Sequence, residues 1–248
     1  MSAESIAGAT AVVTGAGRGF GRGIAGALVE AGARVIGVGR DGEALKKAQE
    51  DLGDGFVPVP GDATEADLAE ELIAGHRPAV LVLNAGANPV MGPLSEHTWD
   101  SFRGNWDVDV KHVFTWVRAA LRLPLAPGST VVSVSSGAAL RGSPLSGGYA
   151  GAKATVRFVS AYAAGESESR SLGIRFLSVL PMLSPATDLG ASGVAAYAAQ
   201  QGVTAEQFVA NMGAVLTPEK VGAEVLALIG DERPGPAYLL TPGGASEV

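Results

Sequence analysis

The chain contains no cysteine. That excludes disulfides, thiolate nucleophiles and cysteine-held metals, and it suits a reducing compartment. Histidine is nearly as scarce: His76, His97 and His112 are scattered with no pair at ligand spacing, so a metal centre is not expected. Basic charge is also short. Lys and Arg number 18 against 25 Asp and Glu, a net charge of −7 with no basic block, so neither nucleic acid nor an anionic membrane is an expected partner. No apolar run reaches the roughly 18 residues of a membrane span. The N-terminal MSAESIAGATAVV lacks the basic region and long apolar core of a signal peptide. Charged residues make up only 17% and hydrophobic ones 47%, which is too apolar for a disordered chain. Across 248 residues it suffices for one sizeable core. The expectation is a soluble, cytoplasmic, single-domain protein spanning 1–248.

What the chain does have is alternation. Apolar runs read as strands at 10–14 (TAVVT), 33–39 (ARVIGVG), within GFVPVPG, at PAVLVLNAG, from Val131, at 174–180 (IRFLSVL) and at 237–240 (AYLL). Between them lie helical stretches: an alanine-rich one to about Ala31, one from Asp41 to about Leu52, and TEADLAEELIAG with Thr64 as its cap. Further on come a long helix across roughly Thr98 to Leu123, one carrying Tyr149, and one near Pro218–Ile229. The segment from Met182 to Leu216 departs from regular patterning. Strands alternating with helices imply right-handed βαβ units, hence an α/β, doubly wound, parallel sheet of about seven strands with helices on both faces.

Gly15, Gly17, Gly19 and Gly21 fall between the first strand and the first helix. A backbone without side chains there turns tightly and approaches a pyrophosphate at a helix N-terminus, where free N–H groups and the dipole favour anions. About 20 residues on, dinucleotide-binding proteins place an acid on the ribose 2′-OH or a base on a 2′-phosphate. Here the second strand ends in Gly39-Arg40, and Arg18 lies inside the glycine turn. Two guanidiniums suit a 2′-phosphate, so NADP(H) is favoured over NAD(H). Asp41 follows directly, but as a helix cap it points away from the ribose. The plain alternative is two solvated arginines.

The Val131 strand stops at Ser135-Ser136, crosses a Gly/Pro/Ser-rich loop, and enters a helix with Tyr149 and Lys153 four residues apart on one face. An ammonium beside a phenol lowers the phenol's reference pKa of roughly 10 toward neutrality, making it a general acid or base. Ser136, at the strand end, is placed to hydrogen-bond a substrate oxygen. Alone, a Tyr and a Lys at this spacing are usually a surface pair.

Together these motifs resemble the classical short-chain dehydrogenase/reductase family, ketoreductase-like members in particular, over essentially the whole chain. The resemblance implies a Rossmann-fold domain. It assigns Gly15, Gly17, Arg18, Gly19, Phe20 and Gly21 to the TGxxxGxG cofactor turn beginning at Thr14, and Asp62 with Ala63 to the adenine. Asn84-Ala85-Gly86 matches the NAG element that lines the cofactor. Ser136, Tyr149 and Lys153 match the catalytic trio, with Tyr149 and Lys153 also touching the cofactor. Pro181 with Met182, and Thr187, match the nicotinamide end. Departures exist: Leu83 replaces the first Asn of the usual NNAG, Met182 replaces a Gly, and Asp109 takes the place of the family's fourth catalytic residue, an Asn. The family uses that residue's backbone carbonyl to hold a water of the proton relay. An added carboxylate acts on the Lys or Tyr and slows proton transfer, unless it merely packs within the helix.

The resemblance further implies hydride transfer to a substrate carbonyl held by Ser136 and Tyr149. Tyr149 donates the proton, and Lys153 binds the nicotinamide ribose. A homo-oligomer, dimer or tetramer, is implied as well. Leu183, Leu189, Val194, Tyr197, Phe208, Met212 and Leu216 suggest an apolar carbonyl or alcohol substrate, unless they pack lid helices onto the domain; Gly92, Pro93 and Leu94 suggest a further wall. The rival readings are a non-catalytic NADP-binding sensor or scaffold and a non-redox enzyme catalysing dehydration, isomerisation or cyclisation.

Overall fold

The computed structural model describes residues 6–231 and 235–248; residues 1–5, on which part of the N-terminal reading falls, lie outside it. Seven strands run parallel: β1 (Thr10–Thr14), β2 (Arg34–Gly39), β3 (Phe56–Pro60), β4 (Val80–Leu83), β5 (Thr130–Val134), β6 (Arg175–Pro181) and β7 (Ala237–Thr241). An eighth, β8 (Gly244–Glu247), pairs antiparallel with β7. The order is β3-β2-β1-β4-β5-β6-β7-β8. The chain therefore winds outward in one direction through β3 and in the other from β4 onward. The carboxyl ends of β1 and β4 flank the switch point, where open α/β sheets place their ligands.

Successive residues of each strand enter opposite cores. Val13, Val35, Val82, Val132 and Val179 face one layer, while Val12, Ile36, Leu81, Val131 and Phe176 face the other. Both faces are covered, which is why the strands read as unbroken apolar runs. The first layer is built by α1 (Gly19–Glu30), α2 (Gly42–Leu52) and α10 (Pro218–Gly230). The second is built by α3 (Ala66–His76), α5 (Lys111–Arg122) and α7 (Tyr149–Ser169).

Local chemistry fixes several helix starts. Asp41 caps α2 as expected, its carboxylate accepting the Ala44 N–H at 3.0 Å. Thr64 is not the cap of α3. Its own N–H donates to the Asp62 carboxylate at 2.9 Å, and this side-chain turn delays the helix until after Glu65. The long helix expected from Thr98 to Leu123 is interrupted. α4 (Trp99–Asn105) passes into a π-helical turn at Trp106–Val110 before α5 begins. Met182 to Leu216 is not irregular throughout, since it holds α8 (Asp188–Gln201) and α9 (Ala205–Met212), capped by Thr187 and Thr204. No helix among the described residues is long and apolar enough to cross a membrane.

Candidate active site

A cleft of about 820 Å³ opens at the carboxyl ends of the strands, within the range of small-molecule sites. It is lined by the glycine turn and Phe20, by Arg40, Asp62 and Ala63, and by Asn84, Ala85 and Gly86. The rest of the wall comes from Asp109, Ser136, Tyr149, Lys153, Pro181, Met182 and Thr187. Every site residue expected from sequence borders this cavity except Gly21, which is buried behind the turn, where a Cβ on it would meet the Gly15 carbonyl oxygen at 2.2 Å.

At one end lies the turn into α1. Gly15 and Gly19 adopt φ of +66° and +55°, which side chains disfavour. The Thr14 hydroxyl donates to the Val82 carbonyl at 3.2 Å and accepts from the N–H groups of Asn84 and Ala85. The Asn84 amide donates to the carbonyls of Thr14 and Gly15 at 3.1 and 3.2 Å. Asn84 therefore braces the turn from below. Arg18 occupies the N-cap position of α1 without making a side-chain cap, and the first turn holds no acid. Its N–H groups and dipole remain for an anion, so these residues fit the pyrophosphate of a dinucleotide. Arg18 pairs with Asp188 at 3.1 Å, both largely exposed. Asp62, half-buried, is held below the ordinary carboxylate value, first by the Thr64 N–H.

At the other end, β5 and α7 are stitched together. The Ser135 hydroxyl donates to the Lys153 carbonyl at 2.7 Å, and Lys153 Nζ donates to the Val134 carbonyl at 3.1 Å. The Lys153 ammonium stands 5.8 Å from the centre of the Tyr149 ring and 3.1 Å from Asp109 Oδ2. The side chains of Lys153 and Asp109 are 7% and 1% exposed, so this ion pair is shielded from water. Asp109 Oδ1 accepts the Ala87 N–H at 2.8 Å. Burial pushes the Lys153 ammonium down, but the charge of Asp109, then Tyr149 and the hydrogen bond to Asp109, hold it above its ordinary value. Ser136 is half-buried, its hydroxyl accepting the Ala138 N–H at 3.2 Å. Thr187 uses its hydroxyl to cap α8, accepting from Gly190 N–H at 3.0 Å.

Several neighbours were not singled out from sequence. His112 is fully buried below the cleft, its Nδ1 3.2 Å from the Ala85 carbonyl. It follows Asp109 by three residues, across the junction of the π-helical turn and α5, and no local spacing marks its burial. Asn105 is buried and donates to the Ala87 carbonyl at 2.8 Å, holding the loop after Gly86. Across the mouth, Ser143 and Tyr197 share a hydrogen bond of 2.7 Å. The expected wall at Gly92, Pro93 and Leu94 is displaced: Asn88, Pro89 and Met91 line the cleft, and Leu94 is exposed. This follows from the Gly92 N–H donating to the Leu145 carbonyl, which ties that point to the chain before α7. Of the apolar set expected on the substrate side, Leu183, Leu189 and Tyr197 border the cavity, whereas Val194 and Leu216 are buried. Phe208 and Met212 sit on α9 away from it. Met182, 46% exposed, lies beside Gly137 at the rim. Among the described residues no group of three or more His, Asp or Glu is placed to hold a metal ion.

A sequence model of the family described as short chain dehydrogenase matches residues 9–198. Similar characterised chains include L-xylulose reductase of Bos taurus, 32% identical over 145 residues, covering 55% of this chain and 57% of that one. Carbonyl reductase [NADPH] 2 of Sus scrofa is 34% identical over 136 residues, covering 53% and 54%. The chain thus spans just over half the length of these relatives. Among solved structures, one described as an NAD(P) dependent gluconate 5-dehydrogenase from Beutenbergia cavernae, with NADP bound at low occupancy, superposes with a TM-score of 0.80 at 28% identity, covering 96% of both chains. A 3-ketoacyl-(acyl-carrier-protein) reductase from Brucella melitensis shares the fold with a TM-score of 0.79 at 22% identity, covering 96% of this chain and 98% of that one.

Proposed function

Because the chain belongs to the short-chain dehydrogenase family, we propose that it is an NADPH-dependent oxidoreductase reducing a ketone or other carbonyl of an apolar small molecule to a secondary alcohol. The observation that carries this reading is the convergence of Ser136, Tyr149 and Lys153 on one cleft, with the Lys153 ammonium buried beneath the Tyr149 ring. Bound nicotinamide supplies the hydride in this chemistry. Ser136 and Tyr149 hold the carbonyl oxygen, and the Tyr149 O–H passes its proton to that oxygen as it gains charge. Lys153 has three N–H bonds; Val134 takes one and Asp109 lies 3.1 Å away as its ion-pair partner, so the ammonium keeps donor capacity for the nicotinamide ribose. Arg18 and Arg40 favour the 2′-phosphate of NADP(H). Met91, Leu140, Met182, Leu183 and Leu189 make an apolar substrate surface. Exposed Trp99, Phe114, Phe158 and Tyr162 on α4, α5 and α7 support assembly into a homo-oligomer.

The test is oxidation of NADPH by the purified chain against a panel of apolar ketones. Turnover is expected, and Tyr149→Phe is expected to abolish it while NADPH still binds. Undiminished turnover in that variant would remove Tyr149 from the chemistry. NADPH binding without turnover on any carbonyl would favour the non-redox or sensor reading, for which the buried Asp109–Lys153 pair is the supporting observation.

A further inference from the structure

We infer that Asp109 is a positioning residue: its buried carboxylate grips the Lys153 ammonium and offsets the charge that would otherwise stabilise a Tyr149 phenolate, biasing the site toward the direction in which Tyr149 gives up a proton to a carbonyl oxygen. This rests on the assignment of Tyr149 and Lys153 as working groups.

The placement is built by several elements at once. The π-helical turn at Trp106–Val110 delivers Asp109 to the interior, where the residue is 1% exposed. Its Oδ1 is fixed by the Ala87 N–H, and its Oδ2 faces Lys153 Nζ at 3.1 Å. Gly86 is closely packed there, since a Cβ on it would come within 3.0 Å of Oδ2 and 3.1 Å of Oδ1. The carboxylate is thus held between the Ala87 N–H and the Lys153 ammonium. Seen from Tyr149, an ammonium 3.1 Å from a carboxylate acts as a dipole, and its field falls off faster than that of a bare charge.

The other titratable or charged groups around the pair do not duplicate this role. His112, from α5, is neutral in its buried setting. Asp107, on the π-helical turn, and Asp188, on α8, are largely exposed, as is Arg141 at the end of α6 (Ala138–Arg141). Tyr197 of α8 is bonded to Ser143. His97, before α4, faces Ser101 and the Gly92 carbonyl. In reduction the Tyr149 O–H bond breaks as the alcohol O–H forms; oxidation reverses that transfer.

Asp109→Asn keeps the shape and leaves an oxygen for the Ala87 N–H while removing the charge. Tyrosine ionisation is followed by ultraviolet absorbance in cofactor-free protein, and subtracting the Tyr149→Phe titration isolates Tyr149. The expected result is that Tyr149 ionises about one pH unit or more lower in Asp109→Asn, the scale of an unmasked charge at close range. The ratio of kcat for alcohol oxidation to kcat for ketone reduction at pH 7 should rise several-fold with it, KM values shifting in compensation because the overall equilibrium is fixed. An unchanged Tyr149 transition in natively folded Asp109→Asn would overturn the inference. If that variant does not fold, the double variant Asp109→Asn, Lys153→Met decides. Because the wild-type pair is already near neutral, Tyr149 should ionise within about half a pH unit of wild type, and a rise of about one unit or more would overturn the inference. The titration gives its answer even if no carbonyl is ever reduced, so failure of the reductase reading and failure of this one are separately visible.

Discussion

His112 has Nδ1 3.2 Å from the Ala85 carbonyl, while its Nε2 meets no hydrogen-bond partner among the described residues. Burial, followed by the nearby Lys153 charge, pushes its pKa from 6.5 down to about 3. The unfolded chain takes up this proton near 6.5 and the folded chain only near 3, so the unfolded state binds more protons in between. Stability must therefore fall as pH drops through that window, by at most about 1.4 kcal/mol per pH unit from this one group. Between pH 6.5 and 4.5 the loss is roughly 2–3 kcal/mol. Urea midpoints measured across that range should fall less steeply for His112→Asn than for wild type; equal slopes would mean that His112 is not held neutral. Asp62, whose pKa is lowered from 3.8, contributes stability that is lost as pH falls from the unfolded carboxylate range through its folded value, mostly below the pH 6.5–4.5 range of that measurement. The sequence pointed to Ser136, Tyr149 and Lys153 because their types and spacings, taken with the glycine turn, are specific. It did not point to His112, because burial depends on packing against Ala85 and Trp116 that no local spacing encodes. Asp109 was legible as a departure, but its grip on Lys153 required the π-helical turn, which has no sequence signature of its own.

Among the elements, α1 and α10 are joined by close glycine contacts. A Cβ on Gly222 would lie 2.3 Å from the Gly23 carbonyl oxygen, and one on Gly23 would lie 2.1 Å from that of Pro218. Backbone meets backbone here, so neither helix can yield by rotating a side chain. Gly222→Ala should destabilise the chain by roughly 1–3 kcal/mol through overpacking. Gly165 provides the contrast: it is exposed near the C-terminal end of α7, with nothing within 4 Å of its ideal Cβ. Gly165→Ala should stabilise by about 0.4–1 kcal/mol, because the unfolded chain loses freedom and the folded one loses nothing. Denaturant midpoints for the two variants should move in opposite directions, and a shared direction would contradict the packing described. The strands were legible because burial on both faces writes an unbroken apolar run. β8 was not, since GASE carries no such run and is recruited only by pairing with the edge of β7. α8 and α9 escaped for a related reason. Their alanine-rich and polar stretches lack a clean apolar stripe, and their starts are set by the caps Thr187 and Thr204.

For the whole molecule, the consequential feature is that one cleft at the switch point joins the glycine turn to the Tyr149 end, across residues more than 130 positions apart in sequence. A dinucleotide lying along it would bind only the folded chain, so binding should appear as stability. At a concentration about 100 times its dissociation constant, the gain is about 2.7 kcal/mol, which for a domain of this size raises the melting temperature by roughly 5–10 °C. NADPH should raise it more than NADH at equal concentration, because Arg18 and Arg40 border the same end of the cleft. The Arg18–Asp188 contact does not stand in the way: it is exposed, weak in water, and open to exchange for a phosphate. Replacing both arginines by Ala should bring the NADPH shift down to that of NADH and leave the NADH shift in place. Equal shifts from the two cofactors in the unaltered chain would return Arg18 and Arg40 to the status of ordinary solvated side chains, with the fold and the Tyr149 end untouched by that result.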